Sequence, residues 1–170
     1  MKIVFVAMFF AVSAFAQNTS SRIPPACGPQ NVSLDVKLDD SQHSIVQPDP
    51  GKAHVYFIQS KSAKPYALGG TVVSMIGIDG TWVGENKENS YFSVSVEPGE
   101  RHLCVNVRAT YLGHAMELSH FIAEAGKVYY FRERVVPTPA GVYLFLDPVD
   151  SDEAKYLIAT YPLSVSQTKK

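Results

Sequence analysis

Hydrophobic and polar residues alternate in several segments of the chain after residue 31. In the segment Val32–Leu38, Val and Leu residues alternate with Ser, Asp and Lys. A period of two places every second side chain on one face, so this pattern predicts a β-strand with one buried face. Further strands are predicted at Ala53–Gln59, Thr71–Asp79, Thr81–Val83, Ser90–Val96, Arg101–Arg108, Glu117–Ala123, Lys127–Val135 and Val142–Asp147.

Turn residues separate these segments, and only the C-terminal part has a helical pattern. The dipeptide Asp79-Gly80 is typical of a tight hairpin turn. Ser151 is predicted to cap a helix, since Asp152 and Glu153 suit the positive end of a helix dipole. Short strands without alternating helices predict an all-β fold. We expect an immunoglobulin- or transthyretin-like β-sandwich of about seven to nine antiparallel strands with a short C-terminal helix.

The N-terminus has the pattern of a secretory signal peptide. Lys2 precedes an apolar run, and Ala14-Phe15-Ala16 provides a small-x-small cleavage site. The run is too short to cross a bilayer, which takes about 20 apolar residues. We therefore expect cleavage near Ala16-Gln17 and a periplasmic or secreted product. The predicted organisation is a signal peptide (1–16), an extended lead-in (17–30), a single β-sandwich domain (31–165) and a tail (166–170).

Composition and charge narrow the class of protein. The chain has 170 residues, of which 46% are hydrophobic, and a formal net charge of −1. This length suits one domain with a core of its own. No basic block is present to neutralise a phosphate backbone, so nucleic acid is not an expected partner. No segment of the mature chain reaches membrane-spanning length, so we expect a protein that does not span the membrane.

The two cysteines, Cys27 and Cys104, are predicted to form a disulfide, because exported proteins fold in an oxidising compartment. If Leu103 and Val105 face the core, Cys104 points to the outer face, where the lead-in can reach it. Closing a loop of about 78 residues would stabilise the fold by about 4 kcal/mol in the chain-entropy model. Two free thiols are the alternative.

Catalytic and metal-binding motifs are weak in this sequence. His102 and Cys104 share a strand face, but a zinc site needs three or four ligands. The chain also lacks a Gly-x-Ser-x-Gly elbow, a His-Glu-x-x-His motif and a phosphate-binding Gly-rich loop. We therefore expect no metal, no cofactor and no enzymatic activity. A hydrolase whose site residues are scattered over loops is kept as an alternative.

Aromatic residues offer another kind of site. Trp82 and Tyr91 flank the polar stretch 84–89, which we expect to be exposed. Aromatic faces pack against sugars while their polar edges stay hydrated. A carbohydrate or small-ligand binding domain that uses Trp82 and Tyr91 is therefore the first alternative function.

Several strand segments resemble a known family. They are VYFI at 55–58, IDGTWVG at 78–84, SYF at 90–92, VEPGERH at 96–102 and AGKVYYF at 125–131. Over about residues 52 to 135 the chain resembles bacterial exported proteins of the DUF2846 type, a domain of unknown function. The resemblance implies a small β-sandwich of the bacterial envelope and brings no active site. We expect a non-catalytic interaction or structural module whose partner is an envelope protein. Because exposed strand edges can pair between chains, a monomer or a homodimer is expected.

Overall fold

The structure is a computed structural model that describes residues 24–61, 72–109 and 113–169. The predicted signal peptide and the first part of the lead-in lie outside these residues. Within the described part the chain forms ten strands and one helix. They are β1 (Leu34–Asp39), β2 (Ala53–Gln59), β3 (Val73–Ile78), β4 (Thr81–Lys87), β5 (Ser90–Val96), β6 (Gly99–Ala109), β7 (Gly113–Ala123), β8 (Val128–Thr138), β9 (Gly141–Pro148), α1 (Ser151–Thr160) and β10 (Leu163–Thr168).

The described strands form two sheets. The six-stranded sheet has the order β1-β10-β5-β2-β8-β9, and the four-stranded sheet has the order β4-β3-β6-β7. The predicted mostly β fold with a short C-terminal helix is confirmed. Antiparallel pairing throughout is wrong, because β8 pairs with β2, and β10 with β5, in parallel. Between β2 and β8 the chain builds the whole four-stranded sheet, and such a long connection allows the parallel return that a short hairpin cannot make.

The main core lies between the two sheets. Inward residues such as Ile76 of β3 and Val105 of β6 are fully buried. The ring of Phe57 on β2 stacks against Phe92 on β5 and Phe131 on β8, with centroids 5.4 and 6.0 Å apart. Each such side chain contributes about 1.5–3 kcal/mol when it leaves water. The inward-facing hydrophobic residues of the alternating segments therefore form mainly this core layer.

A second apolar cluster lies on the outer face of the six-stranded sheet, beneath α1. Ala154 and Ile158 are one helical turn apart and pack against Tyr56, Ile58 and Tyr91. With the sandwich core on one face and α1 on the other, all seven residues of β2 are buried. Among the described residues, no helix combines the length and apolar character that crossing a bilayer would require.

The N-cap of the helix lies one residue before the predicted one. Asp150, not Ser151, is the N-cap, and its carboxylate accepts hydrogen bonds from the backbone N–H groups of Asp152 and Glu153 at 2.9 and 3.0 Å. A carboxylate at this position satisfies N–H groups that have no partner within the helix. These hydrogen bonds lower the pKa of Asp150, the bond from Glu153 most strongly.

The strand after the helix, β10, was not predicted. It pairs antiparallel with β1, from Leu163↔Asp39 to Thr168↔Leu34, and so includes residues 166–168 of the predicted tail. Its alternation is misleading, because Ser164 is buried while Val165 is exposed. The buried Ser164 hydroxyl lies 2.7 Å from the Ser90 hydroxyl, and the Ser166 hydroxyl accepts a hydrogen bond from the Glu85 N–H. The inward positions of β10 are therefore polar, and its hydrophobic pattern indicates the wrong face.

Candidate functional site

Cys27 and Cys104 form a disulfide, as predicted, with Cα atoms 5.1 Å apart. Cys104 lies on β6 between the fully buried residues Leu103 and Val105, which belong to the core. Its own side chain points to the outer face of the four-stranded sheet, and there it is covered by the lead-in. The bond therefore fixes the lead-in across this face.

Trp82 also holds the lead-in in place. Its indole N–H donates a hydrogen bond to the Pro29 carbonyl oxygen at 2.8 Å. A Cβ atom added to Gly28 would lie 2.2 Å from Cδ1 of the indole, and one added to Gly77 would lie 3.3 Å from Cε3. The ring thus lies close to two glycines, one on the lead-in and one on β3. The single polar group of Trp82 is used within the chain.

Tyr91, the other predicted ligand-binding residue, lies on the opposite face of the sandwich. It is 2% exposed beneath α1, and its hydroxyl donates to the Gln42 carbonyl oxygen at 3.0 Å. The expectation that residues 84–89 form an exposed stretch is wrong, because Gly84, Glu85 and Asn86 are buried. The chain crosses from one sheet to the other between β4 and β5, so Trp82 and Tyr91 do not form one site. A contact of either ring with a sugar or small ligand stays a prediction.

Tyr91 also lines a cleft between β5 and β10, with a volume of about 410 Å³. The two strands pair at a single position, Leu163↔Tyr91, and then diverge. Beyond this pair no described strand lies against the outer edge of β5. The lining residues are all uncharged and come from the loop before β2, from β4, β5 and β10: Gln42, Ser44, Val46, Val83, Tyr91, Phe92, Ser93, Val94, Leu163, Ser164, Val165 and Ser166.

An exposed apolar surface lies where β8 and β9 form the edge of the six-stranded sheet. The β8–β9 patch consists of Arg134, Val136, Tyr143 and Phe145. Tyr143 is 54% exposed and Phe145 is 38% exposed. Register places Val136 opposite Tyr143 and Arg134 opposite Phe145. The guanidinium carbon of Arg134 lies 4.8 Å from the centroid of the Phe145 ring, in cation–π geometry.

A carboxyl group is enclosed between the sheets. Glu133 of β8 has no exposed surface, and its carboxyl oxygens contact the Ser74 hydroxyl and, at 2.9 Å, the Asn86 amide nitrogen. The Ser74 hydroxyl is also 3.0 Å from the amide oxygen of Gln59, which it can donate to. Burial raises the pKa of Glu133 to about 7, although the hydrogen bonds from Ser74 and Asn86 act in the opposite direction.

This buried cluster was missed in the sequence, where its signal is the parity of β8. Glu133 occupies the same strand face as Phe131 and Val135, both of which are buried. An acid at such a position must be enclosed with hydrogen-bond partners or change the register of the strand. Those partners, Ser74 of β3 and Asn86 of β4, lie far away in the chain, and no local motif predicts them.

The candidate metal ligands His102 and Cys104 both lie on β6. The Cys104 sulfur is bonded to Cys27, so it is not available as a metal ligand beside His102. Within residues 24–61, 72–109 and 113–169, no group of three or more His, Cys, Asp or Glu side chains is placed to hold a metal ion. Glu133 has the chemistry of a general acid or base, but its complete burial keeps a substrate away from it in this conformation.

Comparison with known protein families identifies the central part of the chain. The family described as "Protein of unknown function (DUF2846)" matches residues 49–144. These residues extend from the loop before β2 into β9 and include all four strands of the smaller sheet. Searches of curated proteins and of solved structures returned no match. Because the matched residues make up more than half of its length, the chain belongs to the DUF2846 family.

Proposed function

We propose that the chain is a non-catalytic interaction or structural module of the bacterial cell envelope, located in the periplasm or secreted. The signal-peptide pattern of residues 1–16 supports export. The disulfide agrees with an oxidising compartment outside the cytoplasm. The proposal includes an immunoglobulin- or transthyretin-like type for the sandwich.

The observation that carries this proposal is the β8–β9 patch. Outward positions of a half-buried antiparallel strand are normally polar. Tyr143 and Phe145 alternate with the buried residues Leu144 and Leu146. The aromatic rings therefore cannot turn inward without shifting β9 by one residue, which would expose its core residues.

The chemistry of the β8–β9 patch is that of a protein-binding surface. Aromatic residues and arginine are enriched at the centres of protein interfaces, where they contribute most of the binding free energy. Arg134 is also held by Asp147, whose carboxylate accepts from its Nε at 2.7 Å. The guanidinium group is thus fixed beside the Phe145 ring, so that little side-chain freedom remains to be lost on binding.

The proposal is tested by cross-linking the tagged chain to its partners in an extract of its own envelope. The double variant Tyr143→Ser/Phe145→Ser removes the aromatic part of the patch. Tyr156→Ser is the matched control, because Tyr156 is 69% exposed on α1 and is not one of the patch residues. We expect one reproducible partner to be recovered with the wild type and the control and lost with the double variant. Equal recovery with all three folded proteins would contradict the proposal.

A further inference from the structure

The cleft between β5 and β10 exposes backbone hydrogen-bonding groups. The Tyr91 N–H donates to the Pro162 carbonyl oxygen at 3.2 Å, so it points away from β2, towards β10. On β2, the His54 N–H donates to the Lys127 carbonyl oxygen at 3.0 Å, towards β8. Every second residue of β2, including Val55 and Phe57, therefore points its backbone groups towards β5. On β5, Val94 is paired with Val55 and Phe92 with Phe57.

The hydrogen bonds of Tyr91 and of His54 agree on which residues of β5 point their backbone groups away from β2. Successive strand residues point their backbone N–H and C=O groups to opposite sides. Ser93 and Ser95 lie two and four residues after Tyr91, so their backbone groups point the same way, to the open edge. No described strand pairs with β5 at these two positions on that side. The edge thus has a row of donors and acceptors like the one that strands normally offer each other.

The cleft is held open, because β10 is anchored elsewhere. β10 pairs with β1 along its whole length, and the Ser166 hydroxyl accepts a hydrogen bond from the Glu85 N–H of β4 at 2.8 Å. Lys87 on β4 also donates to the Val36 carbonyl oxygen of β1 at 2.8 Å. These contacts draw the β1–β10 pair towards the smaller sheet, so β10 cannot move against Ser93 and Ser95 without losing them.

We infer that this cleft binds an extended segment of a partner protein, which adds to β5 as a new strand and inserts uncharged side chains between β5 and β10. This inference rests on the proposed function and specifies the kind of partner segment. The backbone edge favours an extended main chain over a helix or a sugar, because only an extended chain offers matching groups at strand spacing.

The charge of the cleft specifies the side chains of that segment. All residues that line the cleft are uncharged, and Val83 and Val94 give it an apolar part. A charged side chain inserted there would lose water without gaining an opposite charge. At about 3.3 Å per residue, the edge from Ser93 to Val96 is long enough for about four residues. Ser93 and Val94 line the uncharged cleft, whereas Ser95, whose hydroxyl donates to the Asp49 carboxylate at 2.8 Å, lies beyond the lining residues.

The test uses random heptapeptides displayed on phage, selected against the disulfide-bonded chain from residue 17 onward. Ser93→Pro removes the backbone N–H that points to the cleft, whereas Ser93→Ala keeps it. Both variants lose the hydroxyl contact with His54, so the pair differs at the backbone. Proline at an open edge leaves the β2 ladder intact. Ser95→Pro and Ser95→Ala form a second pair, which is used if circular dichroism shows that Ser93→Pro does not fold.

We expect selected peptides rich in uncharged residues that bind the wild type and the alanine variants equally, and the proline variants about tenfold more weakly or worse. The Ser93 and Ser95 amides should become protected from hydrogen exchange when a peptide binds. No enriched peptide, or equal binding to the proline variants, would overturn the inference. A dimer of the free chain that the proline variants abolish would overturn it in favour of pairing between two copies.

The failure of this inference can be distinguished from the failure of the proposed function. The Tyr143→Ser/Phe145→Ser variant keeps the β5 edge and should bind the selected peptides like the wild type. If the envelope partner depends on Tyr143 and Phe145 while no peptide depends on the Ser93 N–H, the proposed function stands and the strand-addition site does not.

Discussion

Replacing Glu133 by glutamine is expected to stabilise the folded chain above neutral pH and to change little at acidic pH. A protonated Glu133 donates to the Ser74 hydroxyl, which can then donate its only hydrogen to Gln59. The Asn86 amide still donates to the other carboxyl oxygen of Glu133. A glutamine at position 133 makes the same contacts, with its amide nitrogen towards Ser74 and its oxygen towards Asn86. An ionised Glu133 instead competes with Gln59 for the Ser74 hydrogen.

The size and direction of the effect follow from the pKa of Glu133. Enclosure raises this pKa from 4.5 to about 7. Below pH 4.5 the carboxyl group is protonated in both the folded and the unfolded chain and carries no penalty. Between pH 4.5 and about 7 the unfolded chain releases the proton while the folded chain keeps it, so the free energy of unfolding falls as the pH rises. Above pH 7 the loss is constant, at about 3 kcal/mol, because each pH unit is worth about 1.4 kcal/mol.

The assay is urea unfolding of the wild type and Glu133→Gln at about pH 4 and about pH 8, with the free energy of unfolding taken from each curve. Comparing the two proteins at the same pH cancels the titration of all other groups. We expect Glu133→Gln to gain about 3 kcal/mol relative to the wild type between the two pH values. Glu124→Gln is the control, since Glu124 is exposed on the turn before β8. A difference between Glu133→Gln and the wild type that does not change with pH would refute the reasoning.

Three further predictions concern the lead-in and the helix. Reducing the Cys27–Cys104 disulfide should lower the free energy of unfolding by about 4 kcal/mol. It should also shift the fluorescence of Trp82, the single tryptophan, to longer wavelength; unchanged emission would argue against the packing of the lead-in on Trp82. Gly28→Ala should cost about 1–3 kcal/mol, because the added methyl group overlaps the Trp82 ring, and wild-type stability in urea would contradict this contact. Asp150→Ala should cost about 1 kcal/mol by loss of the N-cap, and an unchanged melting temperature would exclude that role.

The sequence by itself was sufficient for features that depend on neighbouring residues. Asp79 and Gly80 both have positive φ angles, 48° and 85°, and the predicted hairpin turn between β3 and β4 lies at these residues. The parity of β6 put Cys104 on the outer face, where the predicted disulfide forms. Backbone preference and a period of two act within a few residues, so they can be read locally.

The tertiary structure alone decided which strands lie side by side and what each face meets. Parity places a side chain on a face, but it does not say that β8 runs parallel to β2, or that α1 covers Tyr91 while the lead-in covers Trp82. It also does not show that Ser74 and Asn86 meet Glu133. These outcomes depend on contacts between residues far apart in the chain. Their free energy is gained only when the two sheets pack together, and no local pattern encodes it.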